Sequence, residues 1–314
     1  MTTRIGQLTD IHVADFADLR PVDMLGKRAT GLVNFERKRR REYEPRIVAA
    51  AVHALVQARP DAVFVTGDLT NLGLPSELKA ALVLLEPLRA AGIATYVFPG
   101  NHDYYVPAAS HGAFETVASS WQHGRRVGST PYPFAVDLPD ATVVCFNSAV
   151  PAPPLMAWGR IDAHQLDAAR QLVREHRREH VVFALHHHPT RAPERKAEWT
   201  RNLRGAGGLR RLAAEVGAAL VMHGHNHHEH ARRLREAPGV IVSGISSTTT
   251  NRSAPPERVA NVALYELAPG AEGAEAMIPR ESGERLVASV TVDGSPVRFR
   301  EESFRGITYV IFPV

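Results

Sequence analysis

Short apolar runs rich in β-branched residues punctuate the first two thirds of the chain, and amphipathic stretches separate them. Ile5 to Thr9, Ala62 to Thr66, Ile93 to Phe98, Ala141 to Phe146, Val181 to Leu185 and Ala218 to Met222 each have the length and continuity of a strand buried on both faces. Between them, Ile47, Ala50, Ala51, Ala54, Leu55 and Ala58 recur at helical spacing, as do Leu78, Ala81, Leu82, Leu85 and Leu88. Asp162 can cap a third helix, with Gln165 three residues on to return the bond and Leu166, Ala169, Leu172 and Val173 marking its apolar side. A fourth helix runs from Gly208 to Val216, closed by Gly217.

This alternation implies a layered α/β core. After His230 the pattern changes to successive strand-like runs: Gly239 to Ser243, Asn261 to Leu267, Leu286 to Val292, Val297 to Arg300 and Gly306 to Phe312. No strong helix separates them, which predicts an antiparallel portion. The stretch Pro269 to Gly283, rich in Gly, Ala, Pro and Glu, reads as a loop. With 314 residues, 44% of them apolar, the chain can fill a substantial core. One domain over residues 1–314 is expected, with its motifs in 8–230, residues 231–314 completing the second sheet, and a C-terminal extension from about 270.

Asp15 to Glu44 fits neither pattern, lacking a clear helix face or strand, yet it contains Lys27, Arg28 and the run Arg37-Lys38-Arg39-Arg40-Arg41. A long loop directly after a ligand motif is often functional. The run reads either as a solvated basic surface or as a patch facing phosphate or an acidic partner. The formal net charge of +4 favours anionic ligands only weakly. Cys145 is the single cysteine, so an internal disulfide framework is excluded. The opening Met-Thr-Thr-Arg-Ile-Gly-Gln-Leu lacks the apolar run of a secretory signal, and no stretch approaches the roughly 20 apolar residues of a membrane span. A cytoplasmic setting is expected.

The chemistry is concentrated where the apolar runs end. Asp10-Ile11-His12, Gly67-Asp68, Gly100-Asn101-His102-Asp103, His186-His187-His188-Pro189 and Gly224-His225-Asn226-His227 each follow a predicted strand. In an open α/β sheet the carboxyl ends of the strands share one edge, so residues more than two hundred positions apart can meet in one crevice. Asp10 and His12, like His225 and His227, are two apart and would point the same way if extended. Carboxylates and imidazoles suit two divalent transition-metal ions, and the chain offers no softer set. A single Asp-x-His or Gly-Asp would carry no weight; five such motifs at five strand ends do.

The ordered set resembles the calcineurin-like metallophosphoesterase superfamily, and its forms look most like the bacterial cyclic-nucleotide phosphodiesterase-like (class III) branch. The likeness runs from Leu8 to about His227. It implies an α/β fold, a four-layer αββα sandwich with mixed sheets and a dinuclear site at the carboxyl-end edge. By position, Asp10, His12, Asp68 and His227 match the ligands of one metal, and Asp68, Asn101, His186 and His225 those of the other, with Asp68 shared. His102 matches the histidine that contacts the scissile phosphate, and Asp103 its orienting carboxylate. The implied activity is hydrolysis of a small phosphate ester by a metal-bridging hydroxide, most like a phosphodiesterase acting on a cyclic nucleotide. Manganese, iron or zinc fits a set in which imidazoles outnumber carboxylates. Phosphomonoesterase, nuclease and non-catalytic phospho-ligand-binding readings stay open; nucleic acid as a partner lacks any recognisable stacking platform or binding motif.

The triple His186-His187-His188 departs from the family's usual two histidines before proline. Ending the strand at Leu185 makes His186 the ligand, with His187 the alternative one register away. His223, His228 and His230 are read as solvated. Tyr104, Tyr105, Trp158 and Trp199 could line a cleft, although packing is their default, and Arg160 reads as a surface residue.

Overall fold

The computed structural model describes residues 2–107, 109–190, 198–251, 259–270, 283–292, 295–304 and 307–312. Strand β1 (Thr3–Leu8) is followed by α1 (Lys27–Asn34), a π-helical turn (Phe35–Arg39), the short α2 (Arg40–Glu42) and α3 (Pro45–Ala58). Then come β2 (Ala62–Val65), α4 (Pro75–Ala90), β3 (Ala94–Val97), α5 (Ala109–Val117), β4 (Arg125–Arg126), β5 (Phe134–Asp137), β6 (Ala141–Cys145) and β7 (Gly159–Arg160). Helix α6 (Ala163–Glu175), β8 (His180–Ala184), β9 (Leu203–Arg204), α7 (Ala206–Glu215) and β10 (Leu220–His223) follow. The chain closes with β11 (His230–Leu234), β12 (Ala237–Gly244), β13 (Asn261–Leu267), β14 (Gly283–Val292), β15 (Ser295–Phe304) and β16 (Ile307–Ile311).

Two seven-stranded mixed sheets result, ordered β14-β15-β16-β13-β1-β2-β3 and β11-β12-β10-β8-β6-β5-β4. In the first, β1, β2 and β3 are parallel and β13 pairs antiparallel to β1; in the second, β6, β8, β10 and β12 are parallel. The period of two along a strand divides each apolar run between two cores. Ile5, Phe64, Val143, Val182 and Leu220 meet between the sheets, joined by Phe134 and Tyr265. Leu8, Val63 and Val65 face α3 and α4, while Val144, Phe183 and Val221 face α6 and α7. Burial on both faces explains why these strands read as continuous apolar runs, and the order helices, sheet, sheet, helices is the αββα sandwich.

One polar contact sets the two sheets against each other at the edge that matters. Gln7, fully buried, donates from Nε2 to Thr66 Oγ1 (2.9 Å) and to the His223 carbonyl across the interface (3.0 Å), and accepts from Tyr265.

Two expectations need correction. Residues 231–314 do not all complete the second sheet: β11 and β12 do, whereas β13 to β16 extend the first sheet on the outer side of β1. β13 finds an open edge there, because β1 pairs with β2 on one side only. Residues 15–44 are not structureless either, since they contain α1, the π-helical turn and α2. Their hydrophobic pattern is weak because tertiary contacts, not an apolar stripe, hold them. Arg28, the one buried residue of α1, donates to the carbonyls of Leu72 (3.0 Å) and Gly73 (3.0 Å) and to Asp23 Oδ1 (2.6 Å). Most of the stretch 269–283 lies outside the described residues.

Candidate metal centre

All five motifs lie at the carboxyl ends of parallel strands, on the edge shared by the two sheets. Asp10 and His12 follow β1, Asp68 follows β2, Asn101 and His102 follow β3, His186 follows β8, and His225 and His227 follow β10. The backbone there is not extended. Of the seven non-glycine residues with positive φ among the described residues, five are Asp10 (51°), His12 (44°), Asp68 (56°), His225 (72°) and His227 (51°). Left-handed conformations are uncommon for such residues and persist where the surroundings over-determine them, as at ligand clamps. The pairs Asp10/His12 and His225/His227 therefore converge through a left-handed turn rather than by strand alternation.

Two donor groups share one carboxylate. His12 Nε2 lies 3.2 Å from His227 Nε2, 3.7 Å from Asp10 Oδ1 and 3.8 Å from Asp68 Oδ2, and His227 Nε2 is 3.0 Å from Asp10 Oδ1. On the other side of Asp68, its Oδ2 is 3.4 Å from His186 Nε2, which is 3.3 Å from both Asn101 Oδ1 and His225 Nδ1. The second oxygens are engaged elsewhere: Asp68 Oδ1 accepts from the His102 N–H (2.7 Å), and Asp10 Oδ2 from Thr9 Oγ1 (2.7 Å) and the His225 N–H (2.9 Å). Asp10 Oδ1 is left buried without a hydrogen bond.

The imidazoles are pre-aimed. His12 Nδ1 sits 3.1 Å from the Thr70 carbonyl and His186 Nδ1 2.8 Å from the Thr66 carbonyl. A carbonyl can only accept, so both Nδ1 atoms carry the proton and both Nε2 lone pairs face the cluster, as for a metal-ligating histidine. Burial opposes ionisation of Asp10 and Asp68, but neighbouring His227 and His186 hold both well below the usual carboxylate range. Burial likewise opposes a charge on His186, yet Asp68 raises it to about 9. The oxygen and nitrogen donors fit transition-metal ions.

The histidine triplet separates in space. His186 enters the cluster. His187 is held from both sides by Ser148 Oγ, which accepts from its N–H (3.1 Å) and lies 2.9 Å from Nδ1, and its ring packs 4.4 Å from that of His225. His188 lies parallel to His225 at 5.9 Å. His223, expected to be solvated, is fully buried and its Nε2 is 3.1 Å from His230 Nε2, away from the donor cluster.

Asp103 does not orient the His102 ring. Its Oδ1 accepts from Thr70 N–H (3.0 Å) and Oγ1 (2.9 Å), and its Oδ2 from Gly100 N–H (2.8 Å) and Leu69 N–H (3.3 Å), so it ties the loop after β3 to the loop after β2. Burial and the nearby Asp68 push its carboxyl up to about 7 against the pull of these donors. The ring partner is backbone: His102 Nδ1 lies 2.6 Å from the Asn71 carbonyl. Tyr105 stacks on His102 at 5.2 Å, whereas Tyr104 turns away to Glu115 and Trp199 stays 65% exposed.

One residue escaped notice in the sequence, and a second was noted only as part of the basic run. Asn71 donates from Nδ2 to the His12 (2.5 Å) and Val13 (3.1 Å) carbonyls. Arg39, from the basic run, reaches Asn71 Oδ1 (3.2 Å) and His102 Nε2 (3.0 Å). A polar residue three positions past Asp68 was a readable signal for Asn71; nothing local singles Arg39 out from its four basic neighbours.

A polar cleft opens above the cluster, lined by Lys38, Arg39, Tyr43, Asn101, His102 and Arg201, with Asp68 at its floor. The model of the calcineurin-like phosphoesterase family matches residues 3–229. The chain belongs to that family. It is 30% identical over 133 residues to a probable cyclic nucleotide phosphodiesterase from Rhodococcus erythropolis, a match that covers 42% of this chain and 40% of that relative. Among solved structures it is similar to a dimetal phosphatase from Danio rerio (TM-score 0.57, 13% identity, 99% of each chain). It is also similar to a purple acid phosphatase from yellow lupin, Lupinus luteus (TM-score 0.56, 12% identity), covering 89% of this chain and 53% of that one. GAP50, the anchor in the inner membrane complex of Plasmodium, shares the fold as well (TM-score 0.51, 10% identity, 100% of this chain and 89% of that one). The same fold thus serves a phosphatase and an anchor, so activity has to be argued from the site. No helix among the described residues is long and apolar enough to cross a membrane.

Proposed function

We propose that the chain is a dinuclear metal-dependent phosphodiesterase acting on a small ester such as a cyclic nucleotide. The observation that carries this reading is the shared carboxylate: Asp68 Oδ2 faces His12 on one side (3.8 Å) and His186 on the other (3.4 Å). Asp10, His12, Asp68 and His227 would hold one ion, and Asp68, Asn101, His186 and His225 the other. When bound, paired ions of this kind polarise phosphoryl oxygens and lower the pKa of water. Manganese, iron and zinc all suit the donors.

The chain's own groups supply the rest. Five left-handed ligand positions and the carbonyl-anchored imidazoles keep the donors in place before any ligand arrives, which is what a preorganised site requires. His102 stands in the cleft as a neutral imidazole, its proton on Nδ1 and its pKa drawn down to about 3 by burial and by Arg39. Asp103 keeps the loops carrying Asp68 and Asn101 in register. The likeness to a probable cyclic nucleotide phosphodiesterase supports the diester reading over a phosphomonoesterase. A reducing, cytoplasmic setting fits the buried thiol of Cys145.

Purified protein supplied with Mn2+ is expected to hydrolyse bis-p-nitrophenyl phosphate, and a panel of cyclic nucleotides, linear diesters and monoesters ranks its substrates. Absence of metal-dependent turnover, with Asp68→Ala matching the wild type, overturns the reading.

A further inference from the structure

We propose that Arg39 is the phosphoryl-binding cation of this site, held in place by Asn71 and His102. The inference rests on the hydrolase reading for its substrate class, a phosphate ester, and assigns the recognition of its anionic oxygens to the helical segment after β1.

Three observations lead there. First, Arg39 lines the cleft with Asp68 and His102, and its guanidinium is anchored from two directions, by Asn71 Oδ1 (3.2 Å) and by His102 Nε2 (3.0 Å). The His102 Nδ1 proton is committed to the Asn71 carbonyl, so Nε2 meets Arg39 as an acceptor, and the group able to donate at this spot is the guanidinium. Second, Arg39 has no ion-pair partner among the described residues. Arg40, next in sequence, pairs with Glu36 at 2.7 Å, whereas among the described residues Arg39 meets only neutral acceptors and the face of Tyr43, 5.6 Å from its ring centroid. A guanidinium has five N–H donors in a fixed fork suited to phosphate, and the two anchors leave several of them free. Third, Arg39 closes a π-helical turn, Phe35–Arg39, between α1 and α2. Such turns are rare and concentrate at functional sites, and here Arg39 is half-buried while Arg40 stays exposed.

The test is calorimetric titration of inorganic phosphate into manganese-loaded protein, with bound metal measured in every variant. Arg39→Ala is expected to weaken phosphate about tenfold or more at unchanged metal content, Arg39→Lys to recover part of the loss, and Arg40→Ala to match the wild type. With bis-p-nitrophenyl phosphate, Arg39→Ala should lose roughly 30-fold or more in kcat/KM, and added guanidinium ion should restore part of it, a response that a merely structural role would not give. Phosphate affinity and kcat/KM of Arg39→Ala within twofold of wild type, or a wild type that binds no phosphate, overturn the proposal. If the wild type hydrolyses no ester while phosphate binding still depends on Arg39, the hydrolase reading fails and this one stands. If turnover is normal and Arg39→Ala is silent, the reverse holds.

Discussion

The loops that carry the donors and the helical segment lying over them are built on opposite terms. The loops are buried, five of their seven candidate ligand residues sit in left-handed backbone, and side chains such as Asp103 and Asn71 tie one loop to the next. The segment 27–42 is largely exposed and moored by Arg28, by the close seat of Gly31 and by Arg39 itself. A cation site must hold several like-charged or lone-pair groups together, so its geometry has to be over-determined before anything binds. A surface that receives a substrate needs less rigidity, and elements of lower local stability commonly serve there. The difference matches the proposed division, with the chemistry at the sheet edge and recognition in the segment above it.

The comparison can be broken most forcefully at its centre. Asp68→Ala removes the oxygen common to both donor groups and is expected to cut metal-dependent turnover by about a thousandfold or more, equivalent to roughly 4 kcal/mol of lost stabilisation. Metal analysis should show loss of at least one ion; full metal content with wild-type turnover contradicts the shared-carboxylate arrangement. Gly100→Ala attacks the same loop by sterics, since a Cβ there would run into Asp68 Oδ1 and its backbone nitrogen. We expect a loss of about 1–3 kcal/mol in thermal or denaturant unfolding from overpacking, together with weakened metal retention.

Between the two regions stands Glu77, which accepts the N–H groups of Asn71 (3.3 Å), Leu72 (2.9 Å) and Leu74 (3.1 Å) and so fixes the loop on which Arg28 moors the segment. Glu77→Gln is expected to cost about 1–2 kcal/mol, because one of those donors then faces an amide N–H. Burial, aided by Asp103, raises the Glu77 carboxyl to about 8 against these three donors, above its ordinary 4.5. A raised acid binds its proton more tightly in the folded state, so its contribution to stability is full below about pH 4.5 and is lost as pH rises through about 8. Denaturant midpoints measured across that window should fall in the wild type and fall less in Glu77→Gln; identical slopes refute the assignment. The smallest effect is expected at Gly31→Ala, where a Cβ would meet Tyr105 Oη at 2.5 Å and Leu72 Cδ2 at 2.6 Å. Displacing the segment by this contact should cost about 1 kcal/mol and raise KM with little change in kcat, whereas a fall in kcat with KM unchanged would tie the segment to the chemistry instead.

The central strands were legible because burial on both faces writes a continuous apolar run, and Val63 and Phe64 need only alternate to serve two cores. The candidate site was legible because its potential donors end those runs, so that finding the strands brought Asp10, Asp68, Asn101, His186 and His225 to one edge. Segment 15–44 was not, because α1 buries only Arg28 and owes its helix to carbonyls forty residues away, which leave no periodic trace. Local sequence ranked His186 above His187 by strand register alone, since both follow the same strand. Ser148 claims one and Asp68 faces the other, and neither neighbour is close in the chain.

Residue types and their order thus settled the layering of the fold, the family and the donor chemistry, since hydrophobic periodicity and ligand preference are properties of short segments. The tertiary structure alone decided which edge β13 to β16 joined, how left-handed turns converge the donors, that Asp103 braces loops instead of a ring, and that Lys38 and Arg39 of the five basic residues line the cleft. Each of these depends on contacts between segments distant in sequence, where the free energy of a position is set by its neighbours in space.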